Sequence, residues 1–508
     1  MKPITSAASD RRTPLFIIAL FGLVLSRAAL LCAADHFLTI GGGSSAANNQ
    51  VSLEKNVLYL QRFLADRGLG DVPHEILFSD GAGGARDLQY IPAAKPPRVN
   101  ELLAELFHQE RGVDEQYRAH AIAHLWGASG RQSIGRWFDT VGVKLHEGDR
   151  LFIYYTGHGS RGKGGHNTAL AMWREADMPV SEFARLLDRL PPKVSVVLVM
   201  VQCFGGGFAD VIFNDADVSK GLSPRNRCGF FATTPDRVAA GCTPDVDEEN
   251  YREYSTYFWA ALYGRTRGGD VVPPPDYDGD GRISLAEAHA YAMVASDTID
   301  LSMKTSDVFL RRFSKAKTIA GPAELIDADS GFQTLLDRAE PPERATLDGL
   351  SKRLDLDGFN RTQAARTIAA GIAERRRALG DEQRRLRQSH DRACNALAAM
   401  VRTRWPELTN LLNPAAVKLL AEQGDTIVRA IEAAPVYPEL RRQHDRLDAI
   451  DVEDSDLERK WVKCQRFIRT AEHVALAANL ALVAPPDVRS RYETLRTAEG
   501  GTLADPSH

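Results

Sequence analysis

From Val194 to Val201 every residue except Ser195 is apolar, and most are β-branched. A strand with no polar side has no face to offer water. It belongs inside a parallel sheet covered by helices on both faces. The run ends at Gln202-Cys203-Phe204, followed by Gly205, Gly206 and Gly207. A second strand-like run, 149–156, ends at Gly157-His158-Gly159-Ser160. Side by side and parallel, the two would bring an imidazole and a thiol together at the carboxyl edge of a sheet. That edge is where open α/β folds place their sites.

The flanking sequence supplies partners for such a sheet. Strands are predicted over 36–40, 75–79 and 229–233. The spacing of Leu53, Val57, Leu60 and Leu64 predicts a helix over 52–64. Further helices are predicted over 132–145 and 181–190, the latter with Phe183, Leu186, Leu187 and Leu190 on one face. Strands alternating with helices imply βαβ units. Past Pro322 the strand signals vanish. Arg-, Glu-, Ala- and Leu-rich stretches over 362–402 and 457–482 predict an all-α domain spanning 321–499, with a disordered tail at 500–508.

The chain of 508 residues has room for two or three domains. Its net charge of −4 and lack of a basic tail argue against a nucleic-acid partner. Lys2, Arg11 and Arg12 precede an apolar run over 14–25, and small residues follow at Ala28, Ala29, Ala33 and Ala34. This is the order of a secretory signal, cleaved after Ala34. The run is short of the roughly 20 residues a spanning helix needs. A membrane association follows only if the segment is retained. The expected location is therefore secreted or periplasmic, where disulfides are permitted. Cys32 leaves with the signal. Pairing Cys228 with Cys242 and Cys394 with Cys464 leaves Cys203 as the free thiol.

A cysteine nucleophile needs a partly exposed, polar setting. The amides of Gly205, Gly206 and Gly207 can donate to an oxyanion beside it. His158, between two glycines, would help activate the thiol and protonate a leaving amine. The plainer reading is an inert buried thiol. The matching His-Gly at a second strand end favours the site.

Phe152-Ile-Tyr-Tyr-Thr-Gly-His-Gly-Ser160 resembles the histidine strand of the legumain family of cysteine peptidases, within the wider caspase-like fold; metacaspases also carry Gly-His-Gly there. Cys203-Phe-Gly-Gly-Gly-Phe208 is similar to the cysteine segment of the same group, and Phe231-Ala-Thr-Thr234 to the strand that follows. Asn48-Asn49-Gln50 falls where legumains have Asn-x-Arg. The resemblance covers about 35–315 and implies a caspase-like peptidase domain over 35–320. It implies a cysteine endopeptidase acting on protein or peptide substrates through a Cys203–His158 dyad and a thioester intermediate. The thioester could also pass to an amine, which makes ligase or transpeptidase activity a variant. Gly159 and Cys203 amides would hold the oxyanion, and Asn48 would orient His158. Gln50, Gln202 and Glu253 would line the pocket for the residue preceding the cut. Two positions depart from the family. Val201 stands where an acidic residue or Gln is usual, and Gln50 stands at the pocket arginine. A loop over 162–165 with Lys163 adds a glycine-rich rim beside the histidine.

Asp276-Tyr-Asp-Gly-Asp-Gly-Arg-Ile-Ser-Leu-Ala-Glu287 fits the twelve-residue calcium loop throughout. Asp276, Asp278 and Asp280 offer carboxylates, Arg282 its carbonyl, Ser284 a water-bridged contact, and Glu287 a bidentate closure. A turn with a capping box at Ser284 and Glu287 is the plainer account. Pro273-Pro274-Pro275 block an entering helix, so a single structural calcium site followed by one helix over 285–295 is expected. No organic cofactor is implied. No other His, Cys or Asp cluster has zinc spacing, and the remaining histidines read as surface residues. The rival to the enzyme is a catalytically inactive caspase-fold scaffold whose helical domain binds protein partners. That domain reads equally as an inhibitory lid, an interaction arm or a plain bundle.

Overall fold

The computed structural model describes residues 34–109, 113–163, 166–315 and 324–504. The expected signal segment lies outside them except for Ala34. Among the described residues no helix is long and apolar enough to cross a membrane.

In chain order the strands are β1 Asp35–Gly42, β2 His74–Phe78, β3 Leu88–Tyr90, β4 Gln116–Arg118, β5 Arg150–Gly157, β6 Gly159–Ser160, β7 Ala169–Leu170, β8 Met178–Pro179, β9 Ser195–Met200, β10 Arg227–Phe231 and β11 Met303–Lys304. The helices are α1 Val51–Asp66, α2 Arg98–Leu106, α3 Arg131–Thr140, α4 Val180–Leu187, α5 Tyr254–Tyr263, α6 Leu285–Ala295, α7 Thr305–Phe313, α8 Phe332–Arg338, α9 Pro341–Arg353, α10 Arg361–Arg404, α11 Pro414–Glu432, α12 Tyr437–Val483 and α13 Pro486–Glu499.

Six strands make the main sheet in the order β11-β10-β9-β5-β1-β2. Every neighbouring pair is parallel except β10 and β11. The fold is thus α/β with a mostly parallel sheet and a C-terminal helical region. Successive strand side chains point to opposite faces. Phe152, Tyr154, Val197 and Val199 enter one core with Phe63 of α1, Trp259 of α5 and Phe309 of α7. Leu151, Ile153, Val196 and Leu198 enter another with Trp137 of α3 and Phe183 of α4. Both faces are dry, as the apolar run at Val194 requires. Each such side chain contributes about 1.5–3 kcal/mol by leaving water.

The helix expected over 132–145 ends as α3 at Thr140 and continues as a short tight turn, Gly142–Lys144. A Cβ at Gly142 would lie 3.0 Å from Leu190 and 3.2 Å from Trp137, so the chain passes close to the core there.

In the helical region α10 and α12 run antiparallel. Arg376 meets Asp454, Glu382 meets Arg446 and Ser389 meets Gln443. α8 and α9 pack at one end, with Phe332, Leu347 and Phe467 buried together. At the other end α11 and α2 pack, with Leu103, Leu397 and Ile427 buried together. Leu480 of α12 and Leu495 of α13 join the sheet core itself. The described residues form one compact unit.

Two expectations are corrected. The tail is ordered through Ala504. Leu285 donates its N–H to the Gly501 carbonyl at 2.9 Å, Arg150 donates to Thr502 O at 2.7 Å, and Ala504 N–H donates to Asp35 at 3.0 Å. Residues 505–508 lie outside the described set. Neither expected disulfide forms. Cys228 is buried in the sheet core, while Cys242 packs beside Val51 and Val57. Cys394 and Cys464 belong to cores at opposite ends of the helical pair. Cys228, Cys242 and Cys464 serve as small apolar fillers, and Cys394 lies against the His390 ring.

Candidate functional site

β5 and β9 are neighbours, with Tyr155 opposite Met200. Their continuations therefore emerge together, and His158 and Cys203 stand at the same carboxyl edge. The two chains touch. A Cβ on Gly159 would fall 2.2 Å from the Cys203 carbonyl oxygen and 2.7 Å from Gln202 Cγ. Only glycine allows that approach.

The orientation of His158 follows from its partners. Nε2 lies 2.8 Å from the Asn48 carbonyl oxygen and 3.0 Å from Gln50 Oε1. Two acceptors facing one nitrogen place the proton there and leave the lone pair on Nδ1. Burial lowers the His158 pKa against a smaller opposing pull from the Asn48 bond.

Asn48 and Gln50 both reach His158, through different groups. Asn48 holds His158 through its main chain, not its amide, because the amide is spent locally: Oδ1 accepts from Ser45 N–H at 2.8 Å and Nδ2 donates to Ser44 at 2.9 Å. Gln50 is not aimed at a pocket. It accepts from His158 and donates to Gln89 at 3.1 Å.

Cys203 is half-buried, and its sulfur accepts from the Ala239 N–H at 3.4 Å. Burial raises the thiol pKa, and the buried carboxylate of Asp300 adds to this. The chain then turns sharply. Phe204 takes φ +61°, a left-handed conformation that side chains seldom adopt and that costs on the order of 1–2 kcal/mol. The glycines that follow do not face the thiol as expected. Gly205 N–H donates to Gln202 O, Gly206 N–H to Thr233 O and Gly207 N–H to Phe204 O. They are small for packing reasons: a Cβ on Gly207 would lie 2.3 Å from Thr168 Oγ1, and one on Gly206 2.6 Å from Met303 Sδ.

Gln202 is 1% exposed, and neither its Oε1 nor its Nε2 has a hydrogen-bond partner. Glu253 is buried under Gly241, where a Cβ would lie 2.2 Å from its Oε2. It accepts from Ser255 at 3.0 Å and pairs with Arg267 at 3.4 Å. Val201 faces the apolar core of α5. Gly164 and Gly165 of the expected rim lie outside the described residues.

Compared with known protein families and with curated proteins, the sequence matches none.

Sequence reasoning missed the segment that covers the thiol. Ala239, which touches the sulfur, is held by its neighbour: Ala240 N–H donates to Asp300 Oδ1 at 2.6 Å, and Tyr254 N–H to Asp300 Oδ2 at 2.8 Å. The Asp300 main-chain carbonyl accepts from Arg466 of α12 at 2.6 Å. Arg466 is wholly buried and also reaches Met293 O and Ser296 O. Burial pushes its pKa down to about 10. Arg237, whose carbonyl accepts from Phe204 N–H, lies over the Trp461 ring and pairs with Glu458 at 2.7 Å. The long helix α12 thus braces the loop around Cys203. Only a motif search could have flagged these residues, and they belong to none.

The acidic loop before α6 is preformed. Asp276, Asp278 and Glu287 bring carboxylate oxygens within 4.8 Å of one another, and Gly281 has φ +83°. Asp280 turns aside to accept from Arg282 N–H at 2.8 Å. Glu287 Oε2 accepts from Ser284 N–H at 2.8 Å while Oε1 accepts from Tyr277 N–H at 2.6 Å, so the capping box and the acidic cluster coexist. Asp276, Asp278 and Glu287 are the residues able to hold a hard cation.

Proposed function

We propose that this chain is an exported, caspase-fold cysteine endopeptidase of legumain type. The observation that carries the reading is the contact of Gly159 with Cys203 beside a histidine whose proton faces the Asn48 carbonyl. In the proposed reaction His158 Nδ1 takes the thiol proton. The thiolate attacks a peptide carbonyl, and the Gly159 and Cys203 amides receive the oxyanion. His158 then returns its proton to the leaving amine, and water releases the thioester. A neutral imidazole and a neutral thiol suit this sequence, since one proton passes between them as substrate displaces solvent. Gln202 is the pocket group still seeking partners, so an amide or hydroxyl before the cut would satisfy it. Glu253 balances Arg267 and contributes little free charge to that pocket.

Asp276, Asp278 and Glu287 would hold calcium, which would brace the loop against α6 and the segment at Gly501 and Thr502. Val201 supports the second reading, an inactive scaffold with a partner-binding helical region, because an apolar residue there supplies no pocket charge. Cleavage of a peptide library separates the two. The enzyme cuts after a defined residue, and Cys203→Ala abolishes the cut. A library left intact by protein that is folded and calcium-loaded would leave the scaffold standing.

A further inference from the structure

Far from the sheet edge, three helices remote in sequence converge. Glu105 of α2, His390 of α10 and His444 of α12 bring one ligand atom each within 4.8 Å of the others. Glu105 Oε1 is the meeting point, 3.1 Å from His390 Nε2 and 2.8 Å from His444 Nδ1. Glu105 and His390 are buried, and His444 is half-buried. Arg441 lies near the other carboxylate oxygen, 3.7 Å from Oε2, which leaves Oε1 to the histidines.

The outer ring nitrogens decide what the inner ones carry. His444 Nε2 lies 3.4 Å from Asp448 Oδ2. His390 Nδ1 lies 4.0 Å from Asp391 Oδ1, and the Cys394 sulfur sits against the His390 ring, 3.6 Å from Nδ1 and 3.9 Å from Nε2. A neutral imidazole has a single N–H. When that N–H sits on the outer nitrogen, where Asp448 faces His444, the inner nitrogen turns a lone pair toward Glu105. Three electron-pair donors then face one point, and a cation at that point turns their repulsion into attraction. An acceptor behind the second ring nitrogen is also the usual way metal-binding histidines are oriented.

Two imidazoles and a carboxylate form a donor set suited to zinc, with a fourth place for water. Calcium and magnesium, which require oxygen ligands, are poorly served by it. We propose that Glu105, His390 and His444 form a binding site for a divalent transition-metal ion of the zinc type, clasping α2 to the pair α10 and α12. The location gives the clasp a use. α2 lies between β2 and β5 in sequence, and its apolar side, including Val99 and Leu103, rests on Leu397 and Ile427 at the end of the helical pair. The metal would fasten the rim of that contact.

The test uses full-length protein stripped with a chelator, held in calcium to fill the oxygen loop, and titrated with zinc. The proposal predicts one tightly retained zinc per chain by mass spectrometry after gel filtration, with a melting temperature several degrees higher. His444→Ala loses both. Asp448→Asn, which leaves all three ligands in place and keeps the test valid where His444→Ala folds poorly, weakens zinc by about 10–100-fold. Asp276→Ala combined with Asp278→Ala retains zinc unchanged. Wild-type protein that keeps no zinc, or a melting temperature that rises on acidification but ignores zinc, overturns the proposal in favour of a proton-linked cluster. Zinc retained equally by His444→Ala overturns the site.

Discussion

The sheet edge and the far end of the helical pair each gather histidine with a reactive or acidic partner, by opposite means. At the sheet edge the partners arrive on neighbouring strands, and their backbones touch at Gly159. At the helical end α2 meets α10 and α12, which lie far from it in sequence, through side chains at Glu105. The first is built by main-chain register and carries its signature in short stretches of sequence. The second is built by tertiary packing and carries none. The lesson is that a sheet edge concentrates legible chemistry, while a bundle hides it.

The comparison can be pressed by mutation, beginning with the largest effect. If His158 is the proton acceptor of the proposed reaction, His158→Ala lowers kcat/KM by about 10²–10⁴-fold in a peptide cleavage assay. Because burial lowers the His158 pKa, the neutral base persists below its ordinary range, and the acidic limb of the pH profile should fall below pH 6.5. At the helical end the same kind of change should leave cleavage intact: His444→Ala abolishes zinc retention and not the cut.

Arg466 links the two regions, since α12 runs from the helical end to the loop over Cys203. Arg466→Ala leaves several buried carbonyls unmet and is expected to cost about 3–5 kcal/mol, measured by urea unfolding. A loss below 1 kcal/mol would detach α12 from the site.

Asp300 gives a smaller, pH-dependent effect. Burial raises its pKa to about 6, above the roughly 3.9 of an unfolded chain. The folded state then binds the extra proton, so the stabilising contribution is full below about pH 4 and is lost as pH rises through about 6. Asp300→Asn should flatten that part of the stability profile in melts from pH 4 to 7. The smallest expected change is at the acidic loop. Chelating calcium should lower the melting temperature by a few degrees, and Asp276→Ala with Asp278→Ala should remove the response. Equal melts in calcium and chelator would reduce the loop to a capped turn.

Much of the sheet was legible because burial on both faces leaves a run such as Val194–Val201 no polar alternative. α6 occupies the expected 285–295 because the prolines before it and Ser284 fix its start. α12 begins at Tyr437, well before the expected 457, since its middle is polar and ion-paired with α10 and shows only a faint apolar period. The glycines after Cys203 suggest oxyanion donors, but their amides turn inward to the carbonyls of Gln202, Thr233 and Phe204, and such tertiary placement leaves no mark in the sequence. Asn48 meets His158 through its main-chain carbonyl, a group that any residue possesses and that no sequence position betrays. The cysteine pairs failed because closeness in sequence says nothing about which core a side chain enters.

The central claim is that Cys203 is a nucleophile activated by His158. The most direct measurement is labelling by a library of peptide acyloxymethyl ketones, read by intact mass. The account predicts one adduct on Cys203, absent in Cys203→Ala and strongly slowed in His158→Ala. An unlabelled Cys203 across the whole library, in folded protein, would contradict it.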